Sequence, residues 1–270
     1  MNRSKIILLI EKFNSLQLSK NIDFDKFNEY AITHHSTTIE GSTLTETETR
    51  LLLDEGITPK GKPLVHSLMV IDHYNALLFI IESAKENKTV TTGFIQQINA
   101  RVMKQTGTVY QTVFGELDSS KGIFRKGNVS AGNSYFVNFD KIEMLIKKLC
   151  EAINSKRESA KTIEEKIDCC FDAHFDLVSI HPFYDGNGRT SRLLMNYLQL
   201  FFHFPMAIVF KEDKAEYFDA LVQARKEKDL KIFREFMYSQ YEKYLEIEIG
   251  KAQDLINNKK DKGSNYSFVF

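Results

Sequence analysis

Twelve consecutive residues, His181-Pro182-Phe183-Tyr184-Asp185-Gly186-Asn187-Gly188-Arg189-Thr190-Ser191-Arg192, bring together the side chains that could do chemistry. His181 can be neutral near pH 7 and is the only candidate base in the run. Asp185 is its only carboxylate, and one carboxylate with phosphate oxygens and waters is the usual way Mg²⁺ is held. Glycines on both sides of Asn187 let a phosphate approach the backbone closely. Arg189 and Arg192, three apart, share a helix face and present two guanidinium forks to further phosphates. Each feature alone is ordinary: a histidine before proline at a helix end, a turn-forming Asp-Gly-Asn-Gly, a solvated arginine pair. Together they describe one site for a magnesium nucleotide beside an activated hydroxyl.

The elements around the run must place it. Pro182 disfavours helical geometry at His181, so the helix expected over 163–180 stops there and a loop follows. The next helix is expected from Gly188 to Phe202, putting residues 186–188 at its N-terminus, where free N–H groups and the dipole attract anions. Apolar periodicity and end signals predict further helices over 22–39, 45–53, 65–85, 92–104, 139–156, 214–226 and 230–255. Thr45 and Glu48 are spaced as a capping box. Between Gly107 and Phe139 the period is lost, and residues 128–130 and 135–137 read as a small hairpin around residues 131–134. The expected fold is all-α, a single helical domain with one small β-hairpin. The N-terminal helices would span 1–60, the core and closing helices 61–258, and a solvated tail 259–270.

Lys+Arg and Asp+Glu both number 36, so no net field calls for nucleic acid or an anionic membrane as partner. Cys150, Cys169 and Cys170 read as reduced structural thiols. The apolar start at residues 6–10 is too short for a signal-peptide core, and no window is expected to suit a membrane span. A cytoplasmic location is the expectation.

The run His181–Arg192 resembles the signature of Fic-domain proteins, His-Pro-Phe-x-Asp/Glu-Gly-Asn-Gly-Arg-x-x-Arg, with every specified position present. The similarity extends over roughly residues 64–240, taking in Gly122-Ile123-Phe124-Arg125 before the hairpin and the closing helices from Tyr217 to Phe236. One departure is that Val137-Asn138-Phe139 lacks the prolines usual after the family's flap. The resemblance implies a protein adenylyltransferase that moves AMP from ATP to a Ser, Thr or Tyr hydroxyl of a target protein, the chain itself included. It gives His181 as the base, Asp185 as the Mg²⁺ ligand, Asn187 with the Gly186 and Gly188 backbone at the α-phosphate, Arg189 along the phosphate chain and Arg192 at the γ-phosphate. Gly188 also bears on the reaction type, because a phosphorylating branch of the family tends to carry Lys there. Asn128, Val129, Ser130, Ala131, Gly132 and Asn133 would form the flap that receives the target by main-chain hydrogen bonds. A homodimer is compatible with the sequence.

Ser36-Thr37-Thr38-Ile39-Glu40-Gly41 fits the family's inhibitory pattern, Ser/Thr-x-x-x-Glu-Gly/Asn. The physical reading supports it: Glu40 falls at a helix C-terminus, where an anion is disfavoured by about 0.3–1 kcal/mol and calls for a nearby cation. Arg192 is the expected cation, with Ser36 one turn earlier on the same face and Gly41 as the helix stop. Two other functions remain: removal of AMP from a modified protein, with Glu40 and a metal positioning water, and a nucleotide-binding adaptor without catalysis. His174 reads as a packed helix residue, and His34 and His35 carry no metal-ligand spacing.

Overall fold

The computed structural model describes residues 3–16, 24–113, 115–131 and 134–261. Ten helices account for most of them: α1 Arg3–Ser15, α2 Phe24–Ile39, α3 Glu46–Glu55, α4 Leu64–Lys85, α5 Thr92–Val102, α6 Ile142–Ser159, α7 Ile163–Ile180, α8 Asn187–Phe201, α9 Lys214–Glu227 and α10 Leu230–Asp261. Two antiparallel hairpins interrupt them between α5 and α6, formed by strands β1 Val109–Thr112 with β2 Gly115–Asp118, and β3 Ser130–Ala131 with β4 Ser134–Tyr135.

The architecture is organised around α8. Twelve of its fifteen residues are buried, including Arg189 and Arg192, so it runs through the middle of the molecule. It packs against α7, α4 and α5, with α6 behind α7 and α9–α10 closing one side. Leu193, Leu194, Met195, Tyr197 and Leu198 supply its apolar contribution to one continuous core. The buried segment after α8 lacks regular structure, and side chains satisfy its backbone instead: Gln199 Oε1 accepts from Ala207 N, Gln240 Oε1 from Phe210 N, and Ala207 O accepts from Asn196 Nδ2.

Helix ends follow local chemistry. Thr45 and Glu48 form the expected capping box on α3, and Thr162 with Glu165 forms a second one on α7. Helix α2 ends in a Schellman motif, Gly41 N donating to Thr38 O and Ser42 N to Thr37 O. Gly41 sits there at φ +103°, a conformation that side-chain-bearing residues rarely adopt.

Several expectations need correction. The apolar stretch at residues 6–10 belongs to α1, whose Ile6 and Ile10, four apart, are buried in the main core as α1 packs on α10 and α7. Helix α10 continues past 255 to Asp261, so residues 259–261 are helical; residues 262–270 lie outside the described set. The β1–β2 hairpin was not foreseen. The expected hairpin exists, but its ladder is Ser130↔Tyr135 and Ala131↔Ser134, nearer the tip than 128–130 with 135–137. Helix α4 is long and apolar enough by composition to cross a membrane, contrary to the expectation that no window would be. It packs against α2, α3, α5 and α8 and buries Asp72 and His73.

Candidate active site

Helix α7 delivers His181 and α8 begins six residues later, so the signature is a tight loop between two packed helices. His181 takes a left-handed conformation, φ 53°, while its N–H still closes the last turn of α7 onto Leu177 O. A non-glycine residue held there needs support from its surroundings. Arg125 supplies it: its backbone N–H donates to Pro182 O at 2.9 Å, and its Nε donates to His181 O at 2.8 Å. The ring of Phe136 stacks on the His181 imidazole at 3.9 Å between centroids and 15° between planes. Burial pushes the His181 pKa down to about 4, and the Arg125 and Arg225 charges add to it. The imidazole is therefore neutral at physiological pH, the form a proton acceptor requires.

Inside the loop, Asn187 is used structurally. Its Oδ1 accepts from Phe183 N at 2.9 Å and its Nδ2 donates to Phe183 O at 2.8 Å, while Phe183 is buried in the core. The side chain expected at a phosphate thus fixes the loop, leaving the backbone around it to meet an anion. Asn99 on α5 holds the other side, its Nδ2 donating to Asp185 O and to Thr190 Oγ1, both at 3.1 Å. Gly186, at φ +77°, has space for no Cβ, since one would lie 2.8 Å from Asn99 Nδ2 and 2.9 Å from Met103 Sδ.

Asp185 is the exposed group, 53 % accessible, and its Oδ1 accepts from Gly186 N and from Arg189 Nη2. No cluster of three or more potential metal-ligating residues exists among the described residues. A lone accessible carboxylate at a phosphate site suits a cation that arrives with its nucleotide and completes its shell with phosphate and water oxygens. Arg189 is buried, with Nε and Nη1 finding no hydrogen-bond partner among the described residues. Buried guanidinium donors of this kind fit an incoming anion.

Arg192 is fully engaged. Its Nε donates to Ser36 Oγ at 2.9 Å, and its Nη2 to Ser36 O at 3.0 Å and to Glu40 Oε1 at 2.6 Å. Tyr217 OH accepts from Nη1 at 3.4 Å and pairs in turn with His174 Nε2 at 2.9 Å, so His174 is packed, as expected. Burial pushes the Glu40 carboxyl up, but the Arg192 and Arg189 charges outweigh it and hold it below its usual range. A Cβ placed on Gly188 would lie 2.4 Å from Glu40 Oε1. The carboxylate therefore rests against the first turn of α8, where the helix end favours an anion. Glu40, disfavoured at the end of its own helix, is accommodated at the start of another.

Of the flap residues, Asn128 Oδ1 accepts from Phe139 N at 3.1 Å and Val129 O accepts from Phe136 N, fastening the base of the hairpin. Ser130 and Ala131 form β3, while Gly132 and Asn133 lie outside the described residues. Tyr184, the variable position of the signature, stacks on Tyr110 of β1 at 4.5 Å, so the unforeseen hairpin also borders the loop. Sequence reasoning missed Asn99, Phe136, Tyr110 and Tyr217 as partners of the site. Arg125, Phe136 and Tyr217 lay in noted segments, but no signal in those segments indicated their contacts.

Residues 89–199 match the Fic/DOC family. The chain is 30 % identical over 223 residues to the Protein adenylyltransferase Fic of Drosophila melanogaster, an alignment covering 82 % of this chain and 42 % of the fly protein. It therefore spans about two-fifths of the length of that relative. Among solved structures, a Fic domain containing signaling protein from Bacteroides thetaiotaomicron superposes with a TM-score of 0.80 at 24 % identity, covering 93 % of this chain and 97 % of the other. Fic-1 from C. elegans, as its E274G form, gives a TM-score of 0.73 at 25 % identity, covering 94 % of this chain and 73 % of the other. With the signature loop, its two flanking helices and the flap in this arrangement, the chain belongs to the Fic/DOC family.

Proposed function

We propose that the chain is a protein adenylyltransferase held in check by its own α2 helix. The observation that carries this reading is the placement of a neutral, mostly buried His181 and an accessible Asp185 on either side of the α8 N-terminus, with Arg189 and Arg192 behind it. The relatives' name, protein adenylyltransferase, agrees with it.

His181 takes the proton from a target Ser, Thr or Tyr hydroxyl as its oxygen attacks the α-phosphorus of ATP. The bond from that phosphorus to the bridging oxygen breaks, and pyrophosphate leaves with the electron pair. Alignment and charge neutralisation do most of the work in such a transfer. Backbone N–H groups of Asn187 and Gly188 and the α8 dipole face the α-phosphate, and Arg189 lies along the chain. Mg²⁺, carried in by ATP against Asp185, would neutralise charge on the phosphates. Glu40 takes the Arg192 guanidinium from the γ-phosphate, so ATP binds weakly or out of line while α2 stays docked.

Incubation of the Glu40→Gly protein with ATP labelled at either the α- or the γ-phosphate tests the reaction type. Label is expected from the α-position only, and a fall of about 10²–10⁴-fold on adding His181→Ala. Transfer of γ-label would make the protein a kinase. Release of AMP from a labelled target by the wild type, lost in Glu40→Gly, would favour the hydrolytic alternative.

A further inference from the structure

The flap of this chain lacks the prolines expected after it, yet its end is firmly placed, and the contacts that place it converge on one side chain. Arg125 is buried, and its guanidinium donates to three carbonyls: Nε to His181 O at 2.8 Å, Nη1 to Gly127 O at 2.7 Å and Nη2 to Val137 O at 2.5 Å. Gly127 and Val137 lie on the two arms that lead into and out of β3 and β4, and His181 is the proposed base. No carboxylate is paired with this guanidinium among the described residues; carbonyl dipoles alone satisfy it. A lysine, with a compact ammonium in place of the planar fork, cannot reproduce three diverging bonds of that geometry.

A second contact links the same parts. Phe136, next to Val137, lies over the His181 ring, and the Arg225 guanidinium of α9 lies 5.6 Å from the Phe136 centroid on the same assembly. The aromatic ring therefore connects the base to the closing helix, and it covers a face of the imidazole that water would otherwise reach. A three-way clamp and a stacked ring thus join the end of the flap to His181.

We propose that Arg125 and Phe136 are positioning residues that make the flap and the base a single unit, so that a target strand aligned on the flap is by the same act aligned with His181. The inference rests on His181 being the base, and it concerns neither ATP nor Glu40. Arg125 acts through the carbonyl and conformation of His181, holding the residue at its positive φ. Phe136 acts through the ring, excluding water and fixing its plane. Their hydrogen bonds and ring contacts run to His181, Pro182, Gly127, Val129, Val137 and Arg225, none of them on α8.

The test uses the full chain carrying Glu40→Gly, with Arg125→Lys, Phe136→Ala and Phe136→Leu each added, and two readouts. NMR of ring-labelled histidine follows the His181 titration, and α-labelled ATP gives kcat and KM for AMP transfer. Phe136→Ala should move the His181 midpoint upward by at least about one pH unit from its value near 4, because solvent reaches the ring. Phe136→Leu keeps apolar cover and should move it less. Arg125→Lys should lower kcat about tenfold or more while KM for ATP changes less than about threefold, the pattern of lost alignment rather than lost nucleotide binding. A His181 midpoint unmoved by Phe136→Ala, or a kcat unmoved by Arg125→Lys, overturns the proposal. If Arg125→Lys does not fold, the two Phe136 variants decide alone by the same criterion. Should His181→Ala retain full transfer, the assignment of the base fails; the titration shifts then still report whether flap and ring are joined.

Discussion

At the scale of single residues, the account turns on competition for one guanidinium. Arg192 is buried, so its charge must be matched whether or not ATP is present. Glu40 and Ser36 match it here, the first with charge and the second with both a hydroxyl and a carbonyl oxygen. Ser36→Ala removes the hydroxyl that accepts from Nε and leaves that donor buried, at a cost of about 1–3 kcal/mol to the docked arrangement. Its expected effect is partial release: AMP transfer above wild type but below Glu40→Gly, checked by α-label incorporation at fixed ATP. Ser36→Thr should stay close to wild type, because the acceptor remains. The residue roles visible in the sequence were those packed into one contiguous stretch. His181, Asp185 and the glycines declare themselves because a loop between two helices needs no distant partner to be recognised. The bonds of Asn187 to the Phe183 backbone were not legible, because an amide at such a loop reads the same whether it points to ligand or to the loop's own backbone.

At the scale of elements, the helices were legible and the contacts between them were not. Capping chemistry and 3.6-residue periodicity are local, so α3, α5, α7 and α8 fell within a residue or two of their expected starts. The β1–β2 hairpin was missed because its strands are four residues long and largely exposed, giving no buried alternation to read. It is located instead by the Tyr110–Tyr184 stack, a contact across seventy-odd residues of chain. Arg125 and Asn99 act over similar separations. Asn99 ties α5 to the signature loop through Asp185 O and Thr190 Oγ1, so Asn99→Ala leaves both acceptors without this donor. A loss of about 1–3 kcal/mol in unfolding free energy is expected, together with lower ATP affinity as Asp185 and Gly186 loosen. Denaturant unfolding and equilibrium ATP titration in the Glu40→Gly background check the two parts. Unchanged stability would mean the loop is held by Asn187 and Arg125 alone.

At the scale of the whole molecule, the buried histidines set a pH limit on the fold. Burial lowers the pKa of His34, His35, His73, His174 and His181, with His35 and His181 reaching about 4. Below the ordinary value near 6.5, the unfolded chain binds protons at these sites that the folded chain does not. Stability therefore falls as pH drops from 6.5 toward 4, by up to about 1.4 kcal/mol per pH unit for each site. Asp176, raised by burial to about 6, and Asp72 and Asp172, also raised by burial, work in the opposite sense over part of that range. With five histidines lowered against three carboxyls raised, the net effect is a loss of stability as pH falls through this window. Thermal unfolding followed across that window should show a clearly falling midpoint; a flat profile would mean the histidines are not buried as described. Within the same molecule α2 is attached at several points: Thr33 faces His73, His35 Nδ1 accepts from Lys211 N, and Ser36 and Glu40 hold Arg192. Helix α2 is thus docked along its length, and release of its last turn alone need not unfold it.

The central claim is that Glu40 withholds Arg192 from ATP. The rate of self-modification with α-labelled ATP, measured for the wild type and for Glu40→Gly under identical conditions, tests it most directly. The account predicts a rise of about tenfold or more on losing a carboxylate that occupies the phosphate subsite. Equal rates in the two proteins would contradict it.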